Sequence, residues 1–473
     1  MKLSGKHVLV LGLGESGLAL ARWCLRQGAR VRVADTRSTP PFATALREQA
    51  SAAELVTGEF SDGLLTGIDI LALSPGLPAG LMLVLQARLK GIVVVGEIEL
   101  FAHALTELHS IAEMPRVIAI TGTNGKTTTT ALSGHLCKTA GYDVEVAGNI
   151  SPAALTALLD RVERGTLPRV WVLELSSFQL ETLNSLNADA ATVLNISDDH
   201  LDRYISLDEY AEAKARIFGS GEGCTPHQGT QVINRDDTRV RRMVIAGRPL
   251  LTFGLDVPAH PHDFGLMQRG GENWLAQGDL PLLPLSKLPI NGLHNAANAL
   301  AALALCTALG LPMDRLLAGL QTFHGLPHRV ERVGEIAGVT YYDDSKGTNV
   351  GATLAALEGQ LAGPDHKVVL IAGGDGKGQD FSPLHAAVAQ AARAVVLIGR
   401  DAAKIEAVLQ GCGVPLHVEA DMAAAVAKAA KLAEPGDAVL LSPACASLDM
   451  FRNYAHRAEV FIAAVHDLNG VES

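Results

Sequence analysis

Residues 122–127 of the chain read Gly-Thr-Asn-Gly-Lys-Thr, a combination of residue types suited to holding phosphate groups. The two glycines permit a tight turn in which backbone N–H groups point inward at phosphate oxygens. Lys126 adds a mobile positive charge, and the Thr127 hydroxyl suits a Mg²⁺ ion. The general phosphate loop has a further glycine five residues before Gly125, where this chain has Ile120, so the loop is the shorter Gly-x-x-Gly-Lys-Thr. An ordinary glycine-rich turn is the alternative interpretation.

The elements on either side of this loop must present it to a ligand. Residues 117–120 form a short apolar run that predicts a buried strand. A helix is predicted from Lys126 to Ala140, because Gly141 follows as a typical C-terminal stop. Phosphate would then lie on the helix N-terminus, where N–H groups and the helix dipole favour anions. The order of strand, loop and helix favours phosphate binding over an ordinary turn.

Two further predicted strands bring acids to the same edge of a sheet. Residues 168–175 form one strand, and Glu174 lies at its end, where phosphate-loop proteins place a carboxylate that holds Mg²⁺. A helix cap is the alternative role for Glu174. Residues 190–196 form another strand, which is followed by two acids and His200. That combination favours a metal-binding role for the imidazole over a purely structural one.

Two helices of the same segment carry polar side chains. A helix over residues 208–218 carries Lys214, which on composition alone is expected to be a surface lysine. An alanine-rich helix is predicted over residues 295–308, and Asn295 and Asn298 share one face of it, because residues three apart on a helix are neighbours. Asparagine side chains can read an adenine edge, whereas helix capping by Asn295 is the alternative.

The start of the chain contains a second pattern suited to phosphate. A predicted strand at His7–Leu11 is followed by Gly-x-Gly-x-x-Gly at residues 12–17, a helix over residues 16–27, and a strand that ends at Asp35. This is the glycine pattern of a Rossmann domain, which offers a diphosphate site on a helix N-terminus. Asp35 could accept from a ribose or a base, and Arg37 is a candidate second phosphate contact. The pattern fits NAD, FAD or a nucleotide sugar equally, or tight packing alone.

A third α/β pattern begins after an extended linker predicted at residues 325–331. Three loops at predicted strand ends carry cations, acids and hydroxyls, at residues 344–349, 373–377 and 442–449. Open α/β sheets bind ligands at that edge. Strands of the first and third segments are predicted at residues 69–73, 91–95, 339–343, 368–372, 394–398 and 438–441. The predicted fold is therefore α/β in three domains: a Rossmann-like domain over 1–107, a central P-loop ATPase-type domain over 108–324, and a Rossmann-like domain over 325–473.

Composition narrows the class of protein. The 473 residues include 50 acidic and 39 basic side chains, a formal net charge of −11, which argues against a nucleic-acid-binding protein. The six cysteines are scattered without a C-x-x-C pair, which indicates free thiols in a reducing cytosol. No uninterrupted apolar run reaches the length of about 18 residues that a membrane span needs. We expect a cytoplasmic protein without a membrane span.

Taken together, these motifs resemble those of the Mur ligases, the ATP-dependent amino-acid ligases that build the peptide of bacterial peptidoglycan. The resemblance covers nearly the whole chain, and the motifs follow the family's order and spacing. They are Gly-Thr-Asn-Gly-Lys-Thr at 122–127, Glu-Leu-Ser-Ser-Phe-Gln-Leu-Glu at 174–181, Asp-His at 199–200, the helix with Tyr210, Ala213 and Lys214, His-Asn-x-x-Asn at 294–298, and His-Arg-x-Glu at 328–331.

Within the family, the last segment is similar to the members that join D-glutamate to UDP-N-acetylmuramoyl-L-alanine. The similar loops are Asp-Ser-Lys-x-Thr-Asn at 344–349, Gly-Gly-Asp-Gly-Lys at 373–377 and Ser-Pro-Ala-Cys-Ala-Ser-Leu-Asp at 442–449. The resemblance implies an ATP-dependent amide ligase of peptidoglycan precursor synthesis that forms an acyl phosphate. Its small-molecule substrates would be UDP-N-acetylmuramoyl-L-alanine, D-glutamate and ATP, and it would act as a monomer.

The resemblance also implies a role for each matching residue. The catalytic residues would be Lys126, Glu174, His200 and Lys214. Two Mg²⁺ ions would be held by Thr127, Glu174, His200 and Lys214, the last as a carbamate formed with CO₂, which turns a cation into an anion that can face the metal. ATP would contact Gly122, Thr123, Asn124, Gly125, Lys126, Thr127, Thr128, Asn295, Asn298, Arg329 and Asp344. The UDP-muramoyl substrate would contact Gly14, Ser16, Asp35, Arg37, Gly76, Asn149, Ser176 and Gln179. Lys346 would be a further substrate contact, and the D-glutamate pocket would be Thr348, Lys377, Ser447, Leu448 and Tyr454. The family usually has phenylalanine at the last of these positions.

Three other functions are alternatives. A sister ligase, such as a folylpolyglutamate synthetase or another Mur enzyme, is disfavoured by the loop at 442–449 and by the nucleotide-binding first domain. A nucleotide-sensing binding protein on a degenerate ligase scaffold is disfavoured because every candidate catalytic residue is present. A dinucleotide oxidoreductase would leave the phosphate loop unexplained.

Overall fold

The described part of the chain forms two compact units that together contain three sheets. The computed structural model describes residues 1–108, 114–199, 203–219, 228–290, 292–359 and 367–469. One unit comprises residues 1–196, 208–284 and 298–321, and the other comprises residues 197–207, 285–297 and 322–473. The first and second sheets lie in the first unit and the third sheet lies in the second. None of the described helices is long and apolar enough to cross a bilayer.

The first sheet is parallel, with the strand order β3-β2-β1-β4-β5. Its elements are β1 His7–Leu11, α1 Glu15–Arg26, β2 Arg30–Asp35, α2 Ala43–Gln49, β3 Glu54–Thr57, a 3-10 turn Asp62–Leu65, β4 Ile70–Leu73, α3 Met82–Leu89, β5 Val93–Gly96 and α4 Glu97–Leu108. Leu11 pairs with Ala34 on one side and with Leu73 on the other, so the loops after β1, β2 and β4 meet at one edge. The strand order reverses there, which is where such sheets bind ligands.

The second sheet has the order β14-β13-β12-β11-β10-β9-β6-β8-β7. Its segment contains β6 Arg116–Thr121, α5 Lys126–Thr139, β7 Val144–Gly148, α6 Ala154–Glu163, β8 Val170–Glu174, α7 Ser177–Leu180, β9 Ala190–Val193, α8 Leu207–Ala215, a 3-10 turn Arg216–Phe218, β10 Thr230–Asn234, α9 Thr238–Arg241, β11 Leu250–Phe253, β12 Phe264–Arg269, β13 Glu272–Gln277, β14 Leu280–Pro284, a 3-10 turn Leu285–Lys287, α10 Leu293–Ala308 and α11 Met313–Leu320. Ile120 pairs with Glu174, and Thr121 pairs with Val193. The phosphate loop and Glu174 therefore leave the sheet at the same edge.

The antiparallel end of this sheet is the main feature that the sequence reasoning missed. Strands β12, β13 and β14 pair antiparallel and extend the parallel sheet beyond β11. Gly270 and Gly271 form the two-residue connection between β12 and β13 and have φ of +64° and +83°. This conformation suits a type I′ hairpin, which needs a positive φ at both central residues. The glycine pair was therefore a usable signal for the hairpin.

The third sheet has the order β15-β16-β20-β17-β18-β19. Its elements are β15 Glu331–Ile336, β16 Val339–Asp343, α12 Val350–Gly359, β17 Val368–Gly373, α13 Leu384–Ala391, β18 Ala392–Ile398, α14 Ala402–Leu409, β19 Leu416–Val418, α15 Met422–Leu432, β20 Ala438–Leu441 and α16 Tyr454–Asn469. Alternate residues of β17 enter two apolar clusters, with Val368 and Leu370 in one and Val369 and Ile371 in the other. Since both faces of the sheet are covered, the sequence of β17 has to be continuously apolar.

The predicted extended linker at residues 325–331 was wrong in its second half. His328 and Val330 have φ of +62° and +51°, which is left-handed rather than extended backbone. Glu331 already begins β15, which pairs antiparallel with β16. The His328 N–H donates to the Glu331 carboxylate over 2.8 Å, and its ring contacts Asp343 over 2.6 Å. These local hydrogen bonds direct the chain towards β15. The composition of the segment had instead suggested an extended linker.

Candidate active site

The glycines of the phosphate loop are required by close packing. Gly122 has a φ of +149°, and a Cβ there would lie 2.9 Å from the Leu194 Cβ. Gly125 has a φ of +80°, and a Cβ there would collide with the side-chain oxygen of Asn298. Side chains larger than glycine rarely adopt such backbone angles. The loop can therefore approach β9 and α10 only with glycine at both positions.

Asn195 fastens this loop, a role that the sequence reasoning missed. Its backbone oxygen accepts from the Thr123 N–H over 2.9 Å, and its side-chain oxygen accepts from the Asn124 N–H over 2.8 Å. These two N–H groups are therefore engaged within the protein. Helix α5 begins directly after the loop and carries Thr127 half-buried and Thr128 buried in its first turn. The N–H groups of that turn are the natural phosphate donors.

Lys126 lies against its own loop. Its ammonium donates to the Gly122 carbonyl over 2.9 Å and to the Thr123 carbonyl over 2.8 Å. The side chain is half-buried, and both acceptors are loop carbonyls. The positive charge is thus held at the loop that leads into the N-terminus of α5. This arrangement supports the interpretation of the segment as a phosphate-binding loop.

Glu174 presents a carboxylate that suits a cation. Its Oε1 accepts from the Asn149 side-chain amide over 2.6 Å. Its Oε2 is buried and has no hydrogen-bond partner among the residues that the structure describes. A buried carboxylate oxygen without a donor is costly unless a cation compensates it. Together with the Thr127 hydroxyl, this oxygen offers the hard ligands that Mg²⁺ prefers, so the residues present fit the expected metal.

Lys214 is buried, so the alternative of a surface lysine was wrong. The residue is 1% exposed, and its ammonium donates to the Gly122 carbonyl over 2.9 Å and to the Thr121 hydroxyl over 3.3 Å. The ring of Tyr210, one turn earlier on α8, lies 4.6 Å from the ammonium. The fold therefore brings Lys214 to the start of the phosphate loop. The other expected ligand of the second metal, His200, lies outside the described residues.

Asp35 holds the glycine loop of the first sheet from within. Its carboxylate accepts from the Leu13 N–H over 2.7 Å and from the Arg37 guanidinium over 2.7 and 2.8 Å. The bonds from Arg37, ahead of those from the backbone, lower the pKa of Asp35 to about 2. Both oxygens are therefore occupied by protein donors, whereas the Arg37 side chain is 53% exposed. The expected nucleotide contact fits Arg37 more directly than Asp35.

The remaining expected contacts of the muramoyl substrate lie at strand ends of the first unit. Gly14 and Ser16 lie half-buried where α1 begins, and Gly76 lies exposed in the loop after β4. Ser176 and Gln179 form a capping box on α7: the Ser176 hydroxyl accepts from the Gln179 N–H, and the Gln179 side chain accepts from the Ser176 N–H. The last pair therefore has a structural role whether or not it also contacts substrate.

In the second unit, Asp344 follows β16 and is buried. Its carboxylate accepts from the Ser442 hydroxyl over 2.7 Å. Burial raises the pKa of Asp344 to about 7, against the opposing effect of the Arg329 charge. Near neutral pH this carboxyl group is therefore partly protonated, and further hydrogen-bond donors would favour its ionised form.

A cavity of about 490 Å³ collects other residues expected to contact ATP. Asn295 and Arg329 line it together with His294 and Tyr342. Burial lowers the pKa of His294 to about 4, so its ring is neutral at physiological pH. Helix α10 begins at Leu293, so Asn295 lies inside the helix and does not cap it. Asn298 belongs to the first unit, where its side-chain oxygen accepts from Thr129 over 3.2 Å.

The loops expected to bind D-glutamate also lie in the second unit. Lys377 has a φ of +51°, and its ammonium lies 3.9 Å from the Asp199 carboxylate. The Lys346 ammonium lies 3.7 Å from the Tyr454 ring, which gives that aromatic residue a cation–π partner. Thr348 is half-buried and Ser447 is buried, whereas Leu448 is largely exposed.

Comparison with known proteins decides the family. The models of the Mur ligase MurD-like N-terminal domain, the Mur ligase middle domain and the Mur ligase glutamate ligase domain match residues 6–96, 120–306 and 328–445. A UDP-N-acetylmuramoylalanine–D-glutamate ligase of Aromatoleum aromaticum is 59% identical, with 100% of this chain and 99% of the relative covered. The chain belongs to the Mur ligase family. A protein of the same name from Nitrosospira multiformis is 56% identical, with 100% and 98% covered.

Solved structures of Mur ligases share the fold of this chain. The UDP-N-acetylmuramate–alanine ligase MurC of Thermotoga maritima is 20% identical with a TM-score of 0.61, and the match covers 98% of this chain and 99% of that structure. MurF of Acinetobacter baumannii is 17% identical with a TM-score of 0.59, and the match covers 97% and 91%. The three-domain α/β fold predicted from the sequence is thereby confirmed.

This Mur ligase also holds a buried arginine that the sequence reasoning missed. Arg457 on α16 is 1% exposed and donates to the Ser345 hydroxyl, the Ser345 carbonyl and the Cys445 carbonyl. Burial lowers the pKa of Arg457 to about 10. The side chain thus ties the loop after β16 to the loop after β20. Its position one turn before the buried Phe461 places a charge on an apolar helix face, which was the available signal.

Proposed function

We propose that this chain is an ATP-dependent ligase that joins D-glutamate to UDP-N-acetylmuramoyl-L-alanine in peptidoglycan precursor synthesis. The observation that carries the proposal is full-length identity of 59% to a ligase of that name, in a chain that retains the residues of the phosphate loop. The geometry supports it further, because the phosphate loop, the Glu174 carboxylate and the buried Lys214 lie at the same edge of the second sheet.

The reaction needs an activated carboxylate. The terminal carboxylate oxygen of the muramoyl-alanine attacks the γ-phosphorus of ATP, and ADP leaves, which gives an acyl phosphate. The D-glutamate amine then attacks the acyl carbon, the amine loses its proton, and inorganic phosphate leaves as the amide forms. Lys126 and the first-turn N–H groups of α5 would orient the phosphates and offset their charge. Glu174 and Thr127 would hold a Mg²⁺ ion, which would supply further charge neutralisation for the transferring phosphoryl group.

The first domain (1–107) and the third domain (325–473) would each bind one of the other two substrates. The loop at residues 12–17 and the exposed Arg37 guanidinium suit a diphosphate, so the first domain would take the UDP group. In the second unit, Lys377 and the N–H groups near Ser447 suit a carboxylate of D-glutamate. We further propose a carbamate on Lys214, in a cytoplasmic, monomeric enzyme. Burial supports the modification, because desolvation favours the neutral amine that reacts with CO₂.

Substrate-dependent phosphate release tests the proposal. Phosphate is measured from ATP with UDP-N-acetylmuramoyl-L-alanine present, and then with D-glutamate or L-glutamate added. We expect release and amide product only with the D-isomer. Release with L-glutamate, or with another amino acid alone, would assign the chain to a different ligase. Calorimetry with UDP and with NAD then separates a UDP-binding first domain from a dinucleotide-binding one, and tighter NAD binding would contradict the proposal.

A further inference from the structure

Helix α6 of the central domain is capped by acids of the first domain. Its N-cap residue, Ala153, has no side chain that can accept a hydrogen bond. The Ala153 N–H donates to Glu15 Oε1 over 3.0 Å, and the Leu155 N–H donates to Glu97 Oε1 over 2.6 Å. Glu15 is the first residue of α1, and Glu97 is the first residue of α4. Both domains lie in the same compact unit, so one domain fixes a helix end of the other.

Glu15 belongs to the glycine loop of the first domain. It lies between Gly14 and Ser16, two of the residues expected to contact the UDP-muramoyl substrate. Besides the Ala153 N–H, its Oε1 accepts from the Ser151 hydroxyl over 2.8 Å. A change in the conformation or mobility of the glycine loop would therefore alter these hydrogen bonds to the segment that precedes α6.

That segment, residues 148–153, is joined in turn to Glu174. The Gly148 N–H donates to the Pro152 carbonyl over 2.9 Å, which closes the segment on itself. The Asn149 N–H donates to the Glu174 carbonyl over 2.8 Å, and its side chain donates to Glu174 Oε1 over 2.6 Å. Gly148 has a φ of +106°, and a Cβ there would collide with the Glu174 carbonyl. The segment therefore has little conformational freedom between Ser151 and the Glu174 carboxylate.

We propose that Glu15 is a positioning residue that couples occupancy of the glycine loop by a uridine diphosphate group to nucleotide and cation binding beside Glu174. This inference rests on the proposed function. A diphosphate on the glycine loop orders Glu15, and Glu15 then holds Ser151 and Ala153. Because the segment is closed by its own hydrogen bond, fixing Ser151 and Ala153 also fixes Asn149. Asn149 in turn orients the Glu174 carboxylate. Because binding coupling is reciprocal, nucleotide with Mg²⁺ must strengthen UDP-sugar binding by the same factor.

A chain of contacts is only a route, and coupling must be measured to establish it. Calorimetry on the full chain gives the affinity for UDP-N-acetylmuramoyl-L-alanine with and without Mg²⁺ and a non-hydrolysable ATP analogue. We expect about fivefold tighter binding with the nucleotide in the unmodified protein, at the lower end of common couplings. In Glu15→Ala the factor should fall below about twofold, while each ligand alone still binds. In Glu15→Gln it should persist, because the amide oxygen still accepts from Ser151 and Ala153.

Two controls separate coupling from general damage. Glu48→Ala removes an exposed glutamate from α2 of the same domain and should leave the coupling intact. In an Asn149→Ala background, Glu15→Ala should cause no further loss of coupling, because the route is already broken. Equal coupling in the unmodified protein and in Glu15→Ala, or none in the unmodified protein, overturns the inference. Failure of the unmodified protein to bind the UDP-sugar would instead contradict the proposed function.

Discussion

Asn149 and Glu174 are joined both through their backbones, over 2.8 Å, and through their side chains, over 2.6 Å. One carboxylate oxygen of Glu174 is satisfied by this contact, and the other is buried with no hydrogen-bond partner in the described part of the chain. The pair therefore fixes the direction of a carboxylate that still lacks one donor. This arrangement suits the proposed role of Glu174 as a metal ligand, because the neighbouring amide orients its carboxylate.

Asn149→Ala should weaken Mg²⁺ binding by about tenfold or more, because partners that orient a metal ligand commonly contribute that much. The measurement is initial rate against Mg²⁺ concentration at saturating substrates. Asn187→Ala, an exposed asparagine of the same unit, is the control. An unchanged Mg²⁺ requirement in a folded Asn149→Ala protein would show that Glu174 is oriented in another way.

Glu97 should make the first unit less stable as pH rises. Burial raises the pKa of Glu97 from 4.5 to about 7, although N–H groups of α6 oppose the shift. The folded state therefore holds a proton that the unfolded state releases, and stability falls between pH 4.5 and 7. A shift of this size corresponds to a loss of about 2 to 3 kcal/mol between pH 5 and 8. In Glu97→Gln that loss is absent.

Denaturant unfolding followed by tryptophan fluorescence measures this difference. The chain's three tryptophans, Trp23, Trp171 and Trp274, all lie in the first unit, so the signal reports on the unit that contains Glu97. Asp344 also has a raised pKa but is present in both proteins, so it cancels in the comparison. The same stability difference between variant and parent at pH 5 and at pH 8 would mean that Glu97 titrates normally.

Local sequence patterns located the sheet edges but not the contacts between domains. The predicted strands at His7–Leu11, 339–343 and 438–441 match β1, β16 and β20, because each is an apolar run with clear ends. The phosphate loop was also predictable, because its residues are contiguous in the sequence. Composition alone predicted a surface lysine at position 214, whereas the family resemblance placed it beside Mg²⁺. Its burial depends on α8 folding back so that the ammonium reaches Thr121 at the end of β6. The caps from Glu15 and Glu97 were also missed, because an acid at the start of its own helix looks like an ordinary first-turn acid.

Lys377→Ala should raise the KM for D-glutamate by about tenfold or more, because a charged hydrogen bond contributes about 1.5 to 3 kcal/mol. The KM for ATP should change little, since Lys377 lies on the loop after β17. Steady-state kinetics with each substrate varied provides the measurement, and Lys428→Ala on α15 serves as the control. Equal increases in both KM values would mean that Lys377 serves nucleotide binding or closure instead.

Lys214 is expected to act as a carbamate. An unmodified ammonium beside Mg²⁺ would be repelled, whereas a carbamate oxygen is a hard, anionic ligand that suits it. The side chain is 1% exposed and reaches the Gly122 carbonyl over 2.9 Å, at the start of the phosphate loop. Lys214→Ala should therefore be nearly inactive, and added acetate should restore part of the rate by supplying a carboxylate in the same place. Lys138→Ala, an exposed lysine near the end of α5, should retain full activity.

Lys214→Arg separates carbamylation from positive charge, because arginine keeps the cation but cannot form the carbamate. We expect Lys214→Arg to be as inactive as Lys214→Ala. Protein equilibrated with ¹³C-bicarbonate should show a carbamate carbon signal that both variants lack. Electron density provides the direct check: a crystal grown with bicarbonate and loaded with substrate should show three extra atoms on Nζ. A bare ammonium in such a crystal, or full activity of Lys214→Arg, would contradict the carbamate while leaving the ligase assignment intact.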